Sequence, residues 1–355
     1  MGKSYRMTRI EASRGELLNQ PVALKKTLSH LDKEIKEFVL PQKPEKIILL
    51  GCGDSYYSSL AMKNAMFMIT GIPTEALQAF EFTFFPSQEI NDKTLLIGIS
   101  SSGETEAVLE ALKGGKSKGA YSLALTNSPG SSVDKLADYV FHIQATRVGW
   151  PTQSSTSAMA ALVRLAFSFN SFFRESGKDN SQLEQEFLRI PDLMEDVIRS
   201  HDLPMRKLAE SLVKNKVYFF TGAGPNWGTA NFGAAKVKEW SQDYALALHL
   251  EEFHHFMTLR AGDPIFVMYS HGNTIPRVID TLKSTAKWGG KAILVTDTQM
   301  DAPDLAWKVI TIPSVREVFA PFLMALPLQL FGLHLVHVKL EKSWTRPLDG
   351  DEEID

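Results

Sequence analysis

Short apolar runs alternate with stretches of helically spaced apolar residues along most of this chain. Residues 14–40 place Leu17, Leu24, Leu28, Leu31, Ile35 and Phe38 at helical intervals, with Pro21 as a start or a kink. KIILL (46–50) then reads as a buried strand ending in Gly-Cys-Gly, followed by a helix from Ser55. TLLIGIS (94–100) is a second strand, with a helix from about Glu104. YSLALT (121–126) is a third, closed by the turn NSPGSS, and DYVFHI (138–143) a fourth, ahead of a helix over about 154–173. Strand and helix alternating at this spacing predict βαβ units, hence an α/β fold with a parallel sheet covered by helices on both faces.

The polar stretch RESGKDNSQLEQEF (174–187) interrupts the pattern and reads as an interdomain connection, passing into helices near 181–199 and 202–214. The pattern then restarts. KVYFFTGAG (216–224) is a strand closed by Gly-Ala-Gly, a helix spans about 226–240, and DPIFVMYSHG (263–272), KAILVTD (291–297) and KVITI (308–312) are further strands. The opening of strand then glycines thus occurs twice, about 170 residues apart, as two α/β halves of similar plan. The expected organisation is a helical segment at 1–44, a first domain at 45–175, a helical linker at 176–205, a second domain at 206–340 and a tail at 341–355. The longest apolar stretch, VFAPFLMALPLQLFGLHLVHV, is broken by two prolines and two histidines and reads as a buried helix, so no membrane span is expected.

Composition narrows the function classes. With 355 residues, 44% hydrophobic and 22% charged, the chain is globular and long enough for two domains. A formal charge of −3 with no basic block argues against a nucleic-acid partner. A single cysteine, Cys52, excludes an internal disulfide framework and, with no apolar leader, predicts a reducing, cytoplasmic setting. His249, His254, His255 and His271 fall in no zinc spacing, and no metal and no cofactor are expected.

Candidate chemistry sits at the strand ends, where open parallel sheets bind ligands. Gly51-Cys52-Gly53-Asp54-Ser55 and Ser100-Ser101-Ser102-Gly103-Glu104-Thr105 each open a helix. A helix N-terminus offers free N–H groups and a positive dipole end, and the hydroxyls add donors, so the two loops together can cradle a phosphate or similar dianion without a lysine. Plain helix capping also uses serine, but one suffices; three in a row, with Thr105 and Ser55, exceed that need. GCGDSY lacks the third glycine of a dinucleotide fingerprint.

GCGDSYYSSL, IGISSSGETEAVLEAL, ALTNSPGSSVDKLADYVF, GAAKVKEW and APFLMALPLQLFGLHLVHVK together resemble the sugar isomerase (SIS) family, in its branch with two SIS domains, over about 45–340. The branch includes the isomerase half of glucosamine-6-phosphate synthase, sugar-phosphate isomerases and deaminases, and fructosamine-6-phosphate deglycases. The resemblance implies two flavodoxin-like SIS domains. It also implies that Ser100, Ser102 and Thr105 bind the sugar's anion, joined by Ser55 and by Ser101 in place of a common glutamine. Gly53, Asp54, Ser155 and Lys236 are implied near the substrate, although Asp54 departs from the threonine of the synthase. Glu239, in Lys-Val-Lys-Glu, matches the carboxylate that moves a proton between C1 and C2. From the residues alone Lys236 and Glu239 are an ordinary ion pair on one helix face.

His255 follows Glu239 by sixteen residues and matches the ring-opening histidine; Glu252 matches its motif, while Phe256-Met257 replace the usual Gly-Pro, and His254 fits another register. In relatives this histidine reaches the partner subunit's site, so a homodimer is implied. Arg147 and Trp150, in ATRVGWPTQ, look like specificity residues, and Arg147 admits a sulfonate as well as a phosphate. Ser157 stands where the family often has lysine. KSWTRPLDGDEEID has no lysine after Lys342 to form a Schiff base, and glutamine-dependent synthesis is not expected. The leading expectation is therefore an aldose–ketose isomerase acting on a sugar with a 6-position anion. A deaminase or deglycase would use the same site, and a non-catalytic sugar-phosphate-binding regulator would keep only the serine loop.

Overall fold

A computed structural model of the chain describes residues 3–86, 88–173, 180–255, 259–297 and 305–341. Two helices, α1 (Lys3–Leu18) and α2 (Gln20–Glu37), come first. They part at Asn19, and Pro21 falls in the first turn of α2, where its missing N–H costs nothing, so it starts a helix rather than kinking one. The first α/β series runs β1 (Lys46–Gly51), α3 (Asp54–Thr70), β2 (Thr74–Gln78), α4 (Ala79–Phe84), β3 (Thr94–Ile99), α5 (Glu106–Ser117), β4 (Tyr121–Thr126), α6 (Ser132–Leu136), β5 (Tyr139–His142) and α7 (Gln153–Phe172). After α8 (Ser181–Leu188) and α9 (Ile190–Leu212), the second series runs β6 (Val217–Gly222), α10 (Pro225–Ser241), β7 (Tyr244–His249), α11 (Glu252–His255), β8 (Pro264–Tyr269), α12 (Ile275–Lys287), β9 (Lys291–Thr296), β10 (Lys308–Thr311) and α13 (Ala320–Glu341).

The strands form two five-stranded parallel sheets, ordered β2-β1-β3-β4-β5 and, from the corresponding edge, β7-β6-β8-β9-β10. Both are the doubly wound 2-1-3-4-5 order, in which the winding reverses between the first and third strands. Two compact units result. One holds residues 20–146 and 153–191; the other holds 1–19, 147–152 and 192–355. The second unit thus takes in α1 and the loop 147–152 from distant parts of the chain.

Each central strand is buried on both faces, as in Leu95-Leu96-Ile97 and Ile265-Phe266-Val267, and each fully buried Leu or Phe contributes roughly 1.5–3 kcal/mol. The edge strands are half exposed. Two of them are absent from the sequence-based expectation: β2 (TEALQ), which carries no continuous apolar run, and β7 (YALALH), which carries one, Tyr244–Leu248, that the expectation omits. The expected pair of helices at 181–199 and 202–214 is a second correction. The break falls at Arg189, with Pro191 in the first turn of α9, and α9 then runs straight through Pro204. An interior proline costs about 3 kcal/mol. Met194, Val197, Ile198, Met205, Leu208, Ala209 and Leu212 form one buried stripe on both sides of it, and that packing outweighs the lost hydrogen bond. The stretch Glu317–Glu341, mostly α13, is long and apolar enough to cross a bilayer, and it lies enclosed in the core of its unit.

Both strand-to-helix openings are built on close backbone approach. A Cβ on Gly51 would stand 2.6 Å from the Ser55 carbonyl carbon, and one on Gly222 would stand 2.5 Å from the Asn226 oxygen. Gly51→Ala and Gly222→Ala are therefore expected to lower stability by about 1–3 kcal/mol through overpacking. Gly15→Ala, where the added methyl meets nothing within 4 Å in the last turn of α1, is expected to raise it by up to roughly 0.5–1 kcal/mol. Urea-denaturation midpoints measure the opposite signs.

Candidate active site

At the winding reversal of the first sheet, β1 and β3 lie side by side, Leu50 opposite Gly98, so the loops that follow them open next to each other. The second loop turns on itself. Gly103 N–H donates to the Ser100 carbonyl (3.0 Å), and the Ser100 and Thr105 hydroxyls share a 2.9 Å hydrogen bond. Thr105 N–H reaches Ser100 Oγ (3.4 Å) and Glu104 N–H reaches Ser102 Oγ (3.3 Å). Ser100 is buried, Ser101 and Ser102 half-buried. Ser101 Oγ is enclosed with no hydrogen-bond partner among the described residues, while its carbonyl is held by Asn127 N–H and the Ser128 hydroxyl. An orphan hydroxyl in a donor-rich loop at the start of α5 fits an oxyanion, which would supply the missing acceptor.

Neighbouring residues brace this loop. Gly103 has φ +69°, and a Cβ there would overlap Ser131 Oγ at 2.0 Å. Glu104, exposed, turns away from the loop: its two carboxylate oxygens accept from Ser132 N–H (2.8 Å) and Ser132 Oγ (2.6 Å). Those bonds hold its carboxyl below the usual glutamate range, the side-chain bond first. The turn NSPGSS is thus the loop's clamp. Sequence reading uses it as a mark of resemblance but assigns it no task; Glu104 and Ser132, 28 positions apart, offer no local signal of pairing.

On the first loop Gly53 is exposed at the N-cap of α3 and Ser55 is half-buried. Asp54 Oδ2 accepts from the Ser155 hydroxyl (3.3 Å), and the Ser155 carbonyl accepts from Ser58 Oγ (3.2 Å). Asp54 and Ser155 therefore tie α3 to α7. Ser157 is fully buried, its hydroxyl without a hydrogen-bond partner among the described residues.

The corresponding reversal in the second unit has opposite character. Asn226 Nδ2 donates to Ser270 Oγ (3.1 Å), His271 Nδ1 meets Asp297 (2.9 Å), and burial, then the Asp297 charge, pushes the Glu317 carboxyl up. The loop after β8 thus begins Ser270-His271, with the carboxyl groups of Asp297, just after β9, and Glu317 beside it.

Glu239 lies near the end of α10. Lys236 is completely buried, and its ammonium donates to Glu239 Oε2 at 2.6 Å, while the Glu239 side chain is 30% exposed. A charge in the core needs a partner, so Glu239 is fixed from within and reachable from without. Lys236, expected near the substrate, is enclosed and acts on the carboxylate. His255 is exposed and sits 3.5 Å from Glu251; His254 is half-buried against Thr281 Oγ1 (2.9 Å), and burial lowers its pKa. Of the two histidines His254 thus has the internal partner. The residues that replace Gly-Pro, Phe256 and Met257, and the tail after Glu341 lie outside the described residues.

Glu239 and His255 stand at opposite ends of their unit. α10 starts at the carboxyl end of β6 and rises about 1.5 Å per residue, which carries Glu239 about 20 Å back toward the strands' amino ends. β7 then returns parallel to β6 and delivers α11 to the carboxyl ends. Arg147 is exposed, without an ion pair among the described residues. Its loop is clipped to α1: buried Glu16 accepts from Val148 N–H (2.6 Å) and Gly149 N–H (3.2 Å), and Ser13 Oγ from Trp150 N–H (2.7 Å).

Comparison with known proteins places this geometry. Residues 41–168 and 211–339 match the SIS domain. The chain is 30% identical over 327 residues to the isomerizing glutamine–fructose-6-phosphate aminotransferase of Thermococcus kodakarensis, covering 90% of this chain and 54% of the relative. It is 31% identical over 346 residues to that of Clostridium tetani, covering 92% and 56%. It therefore spans about half the length of these relatives. Among solved structures, the C-terminal domain of the Francisella tularensis glucosamine-fructose-6-phosphate aminotransferase superposes with a TM-score of 0.79 at 23% identity, over 95% of this chain and 97% of that one. The tagatose-6-phosphate ketose/aldose isomerase of Escherichia coli gives 0.74 at 20%, over 92% of each. With both of its α/β halves matched, the chain belongs to the SIS domain family.

Proposed function

We propose that this protein is an aldose–ketose isomerase that acts at C1 and C2 of a sugar bearing an anionic group, phosphate or sulfonate, at position 6. The observation that carries this reading is Glu239: a carboxylate anchored by a wholly buried ammonium yet open to solvent on its own side chain. The Ser100–Thr105 loop, with Ser55, holds the anion and so fixes the far end of the open-chain sugar. His255 opens the ring by protonating the ring oxygen as the anomeric hydroxyl loses its proton. Glu239 then takes the C2 proton of the aldose, leaving an enediolate; the hydroxyl proton on O2 passes to O1, and Glu239 returns its proton to C1 to give the ketose. The names of the relatives accord with this chemistry, isomerizing in one group and ketose/aldose isomerase in another.

A homodimer follows from the same reading. Glu239 and His255 sit at opposite ends of their unit, so His255 serves the site of a second copy. Exposed Tyr244 and Leu246 on edge strand β7, beside α11, give that copy an apolar surface.

Three outcomes test the proposal. In D₂O, proton NMR of fructose 6-phosphate, glucose 6-phosphate and a 6-sulfonated hexose with the enzyme is expected to show interconversion with deuterium entering at C1 or C2. Glu239→Gln is expected to lower the rate roughly 10²–10⁴-fold while sugar-phosphate binding persists. Release of ammonia or a free amine from amino-sugar or fructosyl-amino-acid phosphates would instead make the chain a deaminase or deglycase. Binding without turnover of any of these would make it a sensor. Ser101→Ala and Thr105→Val are expected to weaken anion binding about tenfold each, roughly 1.4 kcal/mol, read as a rise in KM. Co-expressed Glu239→Gln and His255→Asn chains, each inactive alone, are expected to recover about a quarter of wild-type activity if sites are shared across a two-fold axis. No recovery would leave His255 in its own chain's site or outside catalysis.

A further inference from the structure

At the outer edge of the first sheet, two helical residues and the end of a strand meet. His30 and Glu34 are one turn apart on α2 and share a face. His142 is the last residue of β5. Both rings aim a nitrogen at the same carboxylate oxygen: His30 Nε2 lies 3.2 Å from Glu34 Oε1, and His142 Nδ1 lies 2.9 Å from it. One donor atom from each of the three residues falls within 4.8 Å of the others. We propose that His30, Glu34 and His142 form a binding site for a divalent cation of the zinc class, oriented by Asp134.

The spacing suits such an ion. Zinc–nitrogen and zinc–oxygen bonds of about 2.0–2.1 Å in a tetrahedron put neighbouring donors about 3.3 Å apart, close to the two separations observed. Only a small outward movement of the side chains is needed to admit the cation. Without one, a single oxygen must accept two imidazole N–H groups at once. With one, both rings present lone pairs and the carboxylate neutralises charge.

The surrounding bonds are those a metal-ligating histidine uses. The other nitrogen of His142, Nε2, lies 3.4 Å from Asp134 Oδ2, so its proton is held there and Nδ1 is left to bind. Asp134 Oδ2 also accepts from Gly130 N–H, and Asp134 Oδ1 is buried without a hydrogen-bond partner among the described residues. Glu34 Oε2 accepts from His142 N–H at 3.0 Å, which leaves Oε1 as the single ligating oxygen. His142, Glu34 and Asp134 are mostly enclosed, with side-chain exposures of 23, 18 and 17%, whereas His30 is 37% exposed, so entry and a bound water are on the His30 side. Two imidazoles and one carboxylate select zinc, cobalt, nickel or copper over magnesium and calcium.

No local sequence motif announces the site, since His142 lies 108 positions from Glu34. Its effect is structural. It would pin α2 to β5 and to α6, the short helix that begins with the Ser132 clamping Glu104.

The test uses the untagged full-length protein after exhaustive dialysis against chelator, titrated with Zn²⁺ alone by calorimetry, and with Co²⁺ by visible absorption. The expected result is one equivalent of Zn²⁺ that raises the thermal midpoint, since the cation binds the folded state. Co²⁺ is expected to give the intense visible bands of a low-coordinate site. His30→Gln and His142→Gln are expected to lose that equivalent, and Asp134→Asn to weaken it about 10–100-fold. Circular dichroism verifies folding, and His30→Gln, the change at the most exposed ligand, decides alone if His142→Gln does not fold. Absence of saturable uptake overturns the assignment, as does an equivalent retained in His30→Gln.

Discussion

The reversal of winding between the first and third strands of each sheet is the constraint from which the chemistry follows. Right-handed crossovers send the helices after β1 and β3 to opposite faces, so the two loops part and leave a crevice at the carboxyl ends. The helix starts at that crevice bring unpaired N–H groups to it whatever the sequence. Side chains then decide its use. The first sheet lines it with hydroxyls and an orphan Ser101 Oγ; the second lines it with Asp297 and a Glu317 made reluctant to ionise by burial and by Asp297's charge. One architecture, repeated, carries a run of hydroxyls at one crevice and a histidine–carboxyl pair at the other.

Rigidity at the first crevice comes from residues that do not enter it. Glu104 spends its charge on Ser132, and Ser131 fills the space a side chain at residue 103 would need. Asp54 and Ser155 link the helices behind the first loop. Lys236 does for Glu239 what Ser132 does for Glu104: it holds a carboxylate at a fixed place. Each pairing gives up freedom before a ligand arrives, so less is lost when it binds.

Much of the architecture was legible because the central strands, being buried on both faces, write themselves as unbroken apolar runs. β2 was not, because an edge strand needs no such run; β7 has one, Tyr244–Leu248, but it follows α10 directly and half of it faces outward at the sheet edge, so it did not stand out. Pro21 marked the start of α2, whereas the break at Arg189 ahead of Pro191 was missed and the one expected near 200 is absent, the local penalty at Pro204 losing to a continuous buried stripe. The serine loop could be read from its own residues, since helix start and hydroxyls lie within six positions. Glu239 and His255 stood out only by resemblance, for an i,i+3 ion pair and a pair of histidines are commonplace. That Lys236 is fully buried, that Glu104 faces away from the anion loop, and that His30 and Glu34 meet His142 are outcomes of folding across tens to a hundred positions. No pattern within a single window encodes them.

The burial of Lys236 has a consequence for how this fold can lose its chemistry. A lineage that abandoned turnover and kept only ligand recognition could not simply let Glu239 drift, because an unpaired ammonium would remain in the core against α13. The two positions must change together, with an apolar side chain replacing the lysine. Chains of this architecture that have become pure receptors should therefore carry a paired scar at the two sites, and a chain that retains both residues carries the structural cost of a catalyst.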